Sequence, residues 1–273
     1  MPSFIDTHNH LGCDDFNSDR DQVIENSIQK GVIKQIVVSV FANEWQDDIE
    51  LSTKHTSLHV ACGIHPMYIP DQQKQREDAL ALLRQLYANT NHKKKLCALG
   101  EIGLDYYIDH IDKALQQAIF QEQLAIASHY QRPVLLHVRR AHADTIKILK
   151  QCHFKEQGIA HAFSGSYEEA KEYIKLGFKI GLGGAGTYPH AYRMHRVLQQ
   201  LPLESIVLET DAPDLSPVTR QGMRNSPEYL PEISKQLAII KQINEKEFAT
   251  VTTHNACKLF NWSMDEIKKT SFN

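Results

Sequence analysis

Strand-like and helix-like segments alternate along this chain from residue 4 to residue 260, and no other feature restricts the fold as much. Short apolar runs separated by helical runs are the pattern of βαβ units, whose crossovers generate a parallel sheet. Residues 4–10 read as the first strand, because Ile5 and Thr7 are good strand formers. Residues 19–30 carry Ile24 and Ile28 at helical spacing and are closed by Gly31. Residues 35–40 form the second strand, 43–54 a polar helix and 59–66 the third strand. Ala79, Leu82, Leu83 and Leu86 make the buried stripe of the next helix, and residues 91–95 a solvated lysine-rich loop. Residues 96–105 contain the fourth strand, 112–129 a helix, 133–138 the fifth strand with proline at its tolerated first position, and 141–150 a short helix. The sixth strand covers 158–163. Ser166 and Glu169 form a capping box for a helix that stops at Gly177. Residues 178–182 are the seventh strand, 190–200 a helix and 205–211 the eighth strand. Ile233, Leu237 and Ile240 mark one final helix and residues 244–260 another.

Eight strands alternating with helices predict a closed α/β (β/α)8 TIM barrel, read as a single domain over residues 1–273. That length is close to the roughly 250 residues such a barrel needs. A doubly wound open sheet is the alternative, but it has fewer strands and a phosphate-binding fingerprint in its first turn, which this chain lacks.

Composition narrows the function. A hydrophobic share of 42% supplies a sizeable core. The net charge of −3 argues against a broadly basic nucleic-acid surface, so a nucleic-acid substrate has to be attracted by local charge and metal ions. The cysteines Cys13, Cys62, Cys97, Cys152 and Cys257 are scattered, with no C-x-x-C. That spacing fits neither a disulfide framework nor a thiolate zinc site, and reduced thiols point to the cytoplasm. No leader precedes the first strand, and no apolar run approaches the ~20 residues of a membrane span. The expectation is a cytoplasmic monomer with no membrane partner.

Metal-ligand residue types fall at the strand ends. The first strand offers His8 and His10, the fourth Glu101, the fifth His137, the sixth His161 and the eighth Asp211. With His at 15 positions a single His-x-His pair means little, but in a parallel barrel all these ends converge on one face, where sites of this fold lie. Four imidazoles and two carboxylates can hold two divalent ions. The expected partition gives His8, His10 and Asp211 to one ion and His137 and His161 to the other, with Glu101 bridging. Asp211 is then placed to accept a proton from an activated water. Strand alternation puts Asp6 below His8 and Glu209 below Asp211, where either carboxylate orients an imidazole through its second ring nitrogen. Candidate substrate contacts are His65, Arg139, Ser164, the amide of Gly165, and Arg220 and Arg224 in the loop after the eighth strand. Tyr106 and Tyr107 lie where a ring could stack on a base, although loop packing is the plainer reading.

The stretches Phe4-Ile-Asp-Thr-His-Asn-His10, Gly63-Ile-His-Pro66, Gly100-Glu-Ile-Gly-Leu-Asp105, Leu136-His137 with Arg139, His161-Ala-Phe-Ser-Gly165 and Glu209-Thr-Asp-Ala-Pro213, taken in order, resemble the TatD family of metal-dependent deoxyribonucleases. The resemblance runs from Phe4 to about Asn261, and the segments at Ala162 and Tyr188-Pro189 are similar to its YjjV branch. It implies a metallo-dependent hydrolase barrel, a two-metal site and phosphodiester hydrolysis of DNA, in some members as a 3′ to 5′ exonuclease acting on single strands or ends. The family's ligands fall on His8, His10, Glu101, His137, His161 and Asp211, the set reached above from strand position. Four imidazoles favour zinc or manganese; the resemblance also admits magnesium. Two other readings stand beside the nuclease. One is an ester or amide hydrolase on the same site, such as an aminoacyl-ester deacylase. The other is a metal-bearing scaffold without turnover, which has no need of Asp211 as a base.

Overall fold

All eight expected strands form, and they pair in chain order. The computed structural model describes residues 2–263, so residue 1 and residues 264–273 of the expected domain lie outside the described residues. The strands are β1 (Phe4–Asn9), β2 (Val32–Ser39), β3 (Leu58–Cys62), β4 (Leu96–Asp105), β5 (Val134–Arg139), β6 (Gly158–Ala160), β7 (Phe178–Leu182) and β8 (Ile206–Leu208). They make one parallel sheet in the order β1 to β8. The sheet curls until β8 meets β1. There the Asp211 amide donates to the His8 carbonyl at 2.9 Å, and the His10 amide donates to the Ala212 carbonyl at 2.8 Å. The helices are α1 (Arg20–Gln29), α2 (Trp45–Lys54), α3 (Gln73–Ala88), α4 (Lys113–His129), α5 (His142–Gln151), α6 (Tyr167–Lys175), α7 (Tyr192–Gln200), α8 (Leu230–Lys241) and α9 (Glu245–Phe260). Three begin with a side chain that caps the first free amides: Asp112 on α4, Asn244 on α9 and the full Ser166–Glu169 capping box on α6 are the polar residues best suited to that task, while Gly31 and Gly177 follow α1 and α6 in the left-handed region.

β6 and β8 are shorter than the sequence implies. The backbone enters the left-handed region at Ala162 (φ 41°) and Asp211 (φ 58°), so the chain leaves the ladder just as it reaches the polar residues. Two helix faces also differ from expectation. Ile28 is exposed, and α1 buries Val23, Ile24 and Ser27 instead. Leu82 is exposed too, while Ala79, Leu80, Leu83 and Tyr87 form the buried face of α3. The Tyr87 hydroxyl decides that rotation, because it reaches the barrel wall and bonds the Ala98 carbonyl at 2.6 Å. In the loop at 91–95, Lys95 is half-buried: its ammonium donates to the carbonyls of His55 and Leu58.

Ile5, Ile36, Ala61, Leu135, Ile159 and Val207 fill the barrel interior, and Ala256, Leu259 and Phe260 of α9 close it together with Trp262. His59 sits in this lower layer with its ring 4.5 Å from Trp262. Burial, with Lys34 and Lys95 nearby, pushes His59 down to about 3. The folded protein therefore keeps this ring neutral, whereas the unfolded chain protonates it near 6.5. Its contribution is complete above pH 6.5 and is lost as the pH falls toward 3. Chemical unfolding of metal-free protein across that window should show His59→Leu with a flatter acid limb than wild type; an unchanged limb would contradict this account.

Candidate metal centre

Glu101 lies buried near the top of β4, with five imidazoles around its carboxylate. Oε2 is 3.2 Å from His8 Nε2 and 3.9 Å from His10 Nε2. Oε1 is 2.9 Å from His137 Nδ1, 3.5 Å from His65 Nε2 and 3.7 Å from His161 Nε2. Asp211 Oδ1 faces the same space, 3.3 Å from His10 Nε2 and 3.7 Å from both His8 Nε2 and His161 Nε2. The ends of β1, β4, β5, β6 and β8 thus bring together all six expected ligands.

Proximity reproduces the expected set of His8, His10 and Asp211 but does not group His137 with His161. The compact groups are His8, His10 and Asp211; His8, Glu101 and His161; and His65, Glu101 and His137. His161 stacks on His8 with ring centres 3.6 Å apart, and it is His65, expected only to touch substrate, that packs on His137. The two oxygens of Glu101 face different rings, Oε2 those of His8 and His10 and Oε1 those of His65, His137 and His161, and the group of His8, Glu101 and His161 spans both.

Opposite charges override burial at most of these positions. Burial opposes an imidazolium at His10 and at His161, yet the surrounding carboxylates lift His10 to about 9 and His161 to about 10. Burial also opposes the charge on Glu101 and Asp211, but the imidazoles hold both carboxyls below their ordinary range. His8 and His65 go the other way, because burial keeps them neutral.

Asp6 and Glu209 play unequal parts. The register of β1 against β2 slips between Asp6 and Asn9, which breaks the alternation that would put Asp6 under His8. Asp6 turns instead to the seam with β8. It accepts from the Thr210 amide at 2.9 Å, the Thr210 hydroxyl at 2.6 Å, the Asn9 side-chain amide at 3.1 Å and the His8 amide at 3.3 Å. It touches no imidazole among the described residues, and it joins the two strands that carry His8, His10 and Asp211. Burial raises its carboxyl to about 7 against the pull of those donors. Glu209 does meet a ring: its Oε1 lies 3.0 Å from His161 Nδ1 and accepts from the Ala162 amide. Gly181 makes room for it, since a Cβ there would stand 2.4 Å from the Glu209 carboxylate. His10 Nδ1 is held by the Val38 carbonyl at 2.8 Å. One neighbour of the cluster is not among the residues singled out by strand position. Asp105, fully buried, places Oδ2 3.0 Å from His137 Nε2. Its position at the end of a strand and four residues beyond Glu101 was the available signal.

A cavity of about 1030 Å³ opens above this cluster. His65, Arg139 and Ser164 line it. The Arg139 guanidinium stacks 3.7 Å from the Tyr107 ring centre, which makes Tyr107 a shelf for arginine. Tyr106 is packing, with its hydroxyl bonded to Asp144 and Gln117. Arg220 and Arg224 are committed elsewhere, to Glu232 and Asp19. The opposite wall carries Asp14, Asp15, Glu44, Asp47, Asp48 and Asp214. Among the described residues none of these six is ion-paired with lysine or arginine.

The cluster fits a divalent cation. Neither nitrogen of His8 makes a hydrogen bond although both are buried, a cost that a bound cation removes. The donor set is imidazole and carboxylate with no sulfur, which suits zinc, manganese and related ions.

Comparison with known proteins gives a consistent picture. The family described as TatD related DNase matches residues 5–261. YjjV of Escherichia coli K12, named an uncharacterized metal-dependent hydrolase, is 36% identical over 94% of this chain and 98% of its own length. YabD of Bacillus subtilis 168, named in the same way, is 33% identical over 94% and 98%. The crystal structure of YjjV, described as a TatD homolog, superposes with a TM-score of 0.89 over 94% of this chain and 98% of that one. At 14% identity, the phosphotriesterase homology protein of E. coli shares the fold, with a TM-score of 0.70 over 95% and 99%.

Two outcomes are expected. A histidine must be neutral to bind a cation, and His10 and His161 hold protons well above pH 7 in the metal-free cluster. Zinc uptake at pH 7 should therefore release at least one proton per chain, read by calorimetry in buffers of different ionisation enthalpy; a buffer-independent enthalpy would contradict this. Asp6→Ala should lower the unfolding free energy of metal-free protein by roughly 2–5 kcal/mol, because it strands buried donors at the seam. Urea unfolding that matches wild type would remove Asp6 from that role.

Proposed function

This chain belongs to the TatD-related DNase family and is a metal-dependent hydrolase, and on that footing we propose that it hydrolyses phosphodiester bonds of DNA from a strand end, using a water activated by two divalent cations. The observation that carries the reading is Glu101, one carboxylate within 3.9 Å of ring nitrogens on both sides of the site. Cations held here supply an acidified water and neutralise phosphate charge. In this reading His8, His10 and Asp211 would hold one and His137 and His161 the other, with Glu101 shared; the first set is a compact group, while proximity pairs His161 with His8 and His137 with His65, so His65 is close enough to join the second set. Asp211 stays ionised and is open to the cavity, so its carboxylate is placed to accept the water's proton. Arg139 offers a planar fork to a phosphate, and its stacking on Tyr107 restricts the rotamers it would otherwise lose on binding. Ser164, exposed at the lip, adds a hydroxyl.

The acidic wall supports action at an end. A strand running through the cavity would bring its phosphates against the carboxylates of Asp14, Asp15, Glu44, Asp47 and Asp214, whereas a terminus needs only the Arg139 side. The same wall favours a second reading, an aminoacyl ester whose ammonium group faces those carboxylates while its carbonyl lies at the centre.

A labelled linear single-stranded oligonucleotide with added zinc, manganese or magnesium should be shortened from one end, and a circular strand of the same sequence should survive. Asp211→Asn should retain metal and lose about 10²-fold or more in kcat. Turnover of an aminoacyl ester with no attack on the oligonucleotide would replace the nuclease reading by the second one.

A further inference from the structure

His137 is held at both ring nitrogens. Nδ1 faces Glu101 Oε1 at 2.9 Å, and Nε2 faces Asp105 Oδ2 at 3.0 Å. Asp105 is fixed in turn. Its Oδ1 accepts from the Tyr107 amide at 2.9 Å, and its own amide and carbonyl are both bonded by the Gln116 side chain, at 2.8 and 2.9 Å. Gly103, which pairs with His137 in the register of β4 against β5, allows that closeness: a Cβ at Gly103 would stand 2.0 Å from the His137 carbonyl oxygen. The other rings are set the opposite way round. His10 has Nδ1 on the Val38 carbonyl and His161 has Nδ1 by Glu209, so each turns Nε2 toward Glu101 and Asp211.

We propose that Asp105 is a positioning residue for the metal centre, holding the Nε2 proton of His137 so that this ring alone presents Nδ1 to a cation while His10 and His161 present Nε2. A neutral imidazole has one N–H and one lone pair, and an ionised carboxylate only accepts. A fixed carboxylate at Nε2 therefore dictates the tautomer and also raises the basicity of Nδ1. An amide in its place can donate or accept and dictates neither. This inference rests on the metal-hydrolase reading and adds to it a residue that acts through His137 rather than on substrate.

The test compares wild type with Asp105→Asn by zinc titration with elemental analysis, and by two-bond 15N–1H correlation spectra of the imidazoles in zinc-loaded protein. Asp105→Asn should bind one of its zinc ions about 10–100-fold more weakly, with the other affected far less. The wild-type spectrum should show His137 bound through Nδ1 and the remaining ligand rings through Nε2. Wild-type affinity for both ions in Asp105→Asn, or His137 bound through Nε2, would overturn the proposal. If Asp105→Asn does not fold, the wild-type spectrum decides alone. Wild-type protein that takes up no zinc would overturn the metal reading beneath it, an outcome distinct from an inert Asp105.

Discussion

The structure depends on keeping one carboxylate ionised where water does not reach it. Moving Glu101 unaided into the barrel would cost several kcal/mol, so whatever surrounds it has to return that energy as charge or hydrogen bonds. Five imidazoles do so, but they cannot all be cations. His8 and His161 stack at 3.6 Å, and burial together with the charge on His161 leaves His8 neutral and without hydrogen bonds. The cluster is thus stabilised by protons on some rings and left unsatisfied at another. Protons and divalent cations are alternative ways of completing it, which is the property a hydrolytic metal centre requires.

That requirement passes down into the backbone. The rings come from strands far apart in the chain, so the barrel has to close with the ends level. It closes through the amides of Asp211 and His10, next to the groups that serve the centre, and Asp6 ties Thr210 to β1 just beneath. Gly181 and Gly103 give the space that the Glu209 carboxylate and the β4–β5 approach occupy. A side chain at Gly181 would displace the Glu209 carboxylate beside His161, and one at Gly103 would drive the His137 backbone away from β4.

The amino-acid sequence makes the barrel legible because periodicity and strand count are local properties, and α4, α6, β5 and β7 lie within a residue or so of where patterning puts them. The convergence of His8, His10, Glu101, His137, His161 and Asp211 is legible for a related reason, since a parallel barrel sends every strand end to one face. What alternation cannot show is a break in alternation. The slip in β1 moves Asp6 from under His8 to the seam, and the left-handed turns at Ala162 and Asp211 end β6 and β8 early. Partners set by a third element are equally hidden. Tyr87 rotates α3, Tyr107 receives Arg139, and Asp105 finds His137 across two strands. Each is a tertiary contact with no periodic trace.

The cleft above the centre is lopsided, and that bears on how a polyanion approaches it. Arg139 and Arg140 share the Tyr107 ring on one side, and neither is ion-paired among the described residues. Across the cavity from Arg139 lie Asp14, Asp15, Glu44, Asp47 and Asp214, with Asp48 buried behind them against the Ser39 hydroxyl. A protein that reads along nucleic acid gathers affinity from many phosphates, each neutralised by lysine or arginine. Among the described residues that line the cavity, the neutralising charge is confined to the Arg139 guanidinium and whatever cations the centre holds, within a chain whose net charge is −3. In the nuclease reading, binding energy therefore comes from the few phosphates nearest the scissile bond, and the acidic wall makes every further phosphate on its side unfavourable. Selectivity for a terminus then needs no steric plug: it follows from the sign of the charge on the far wall.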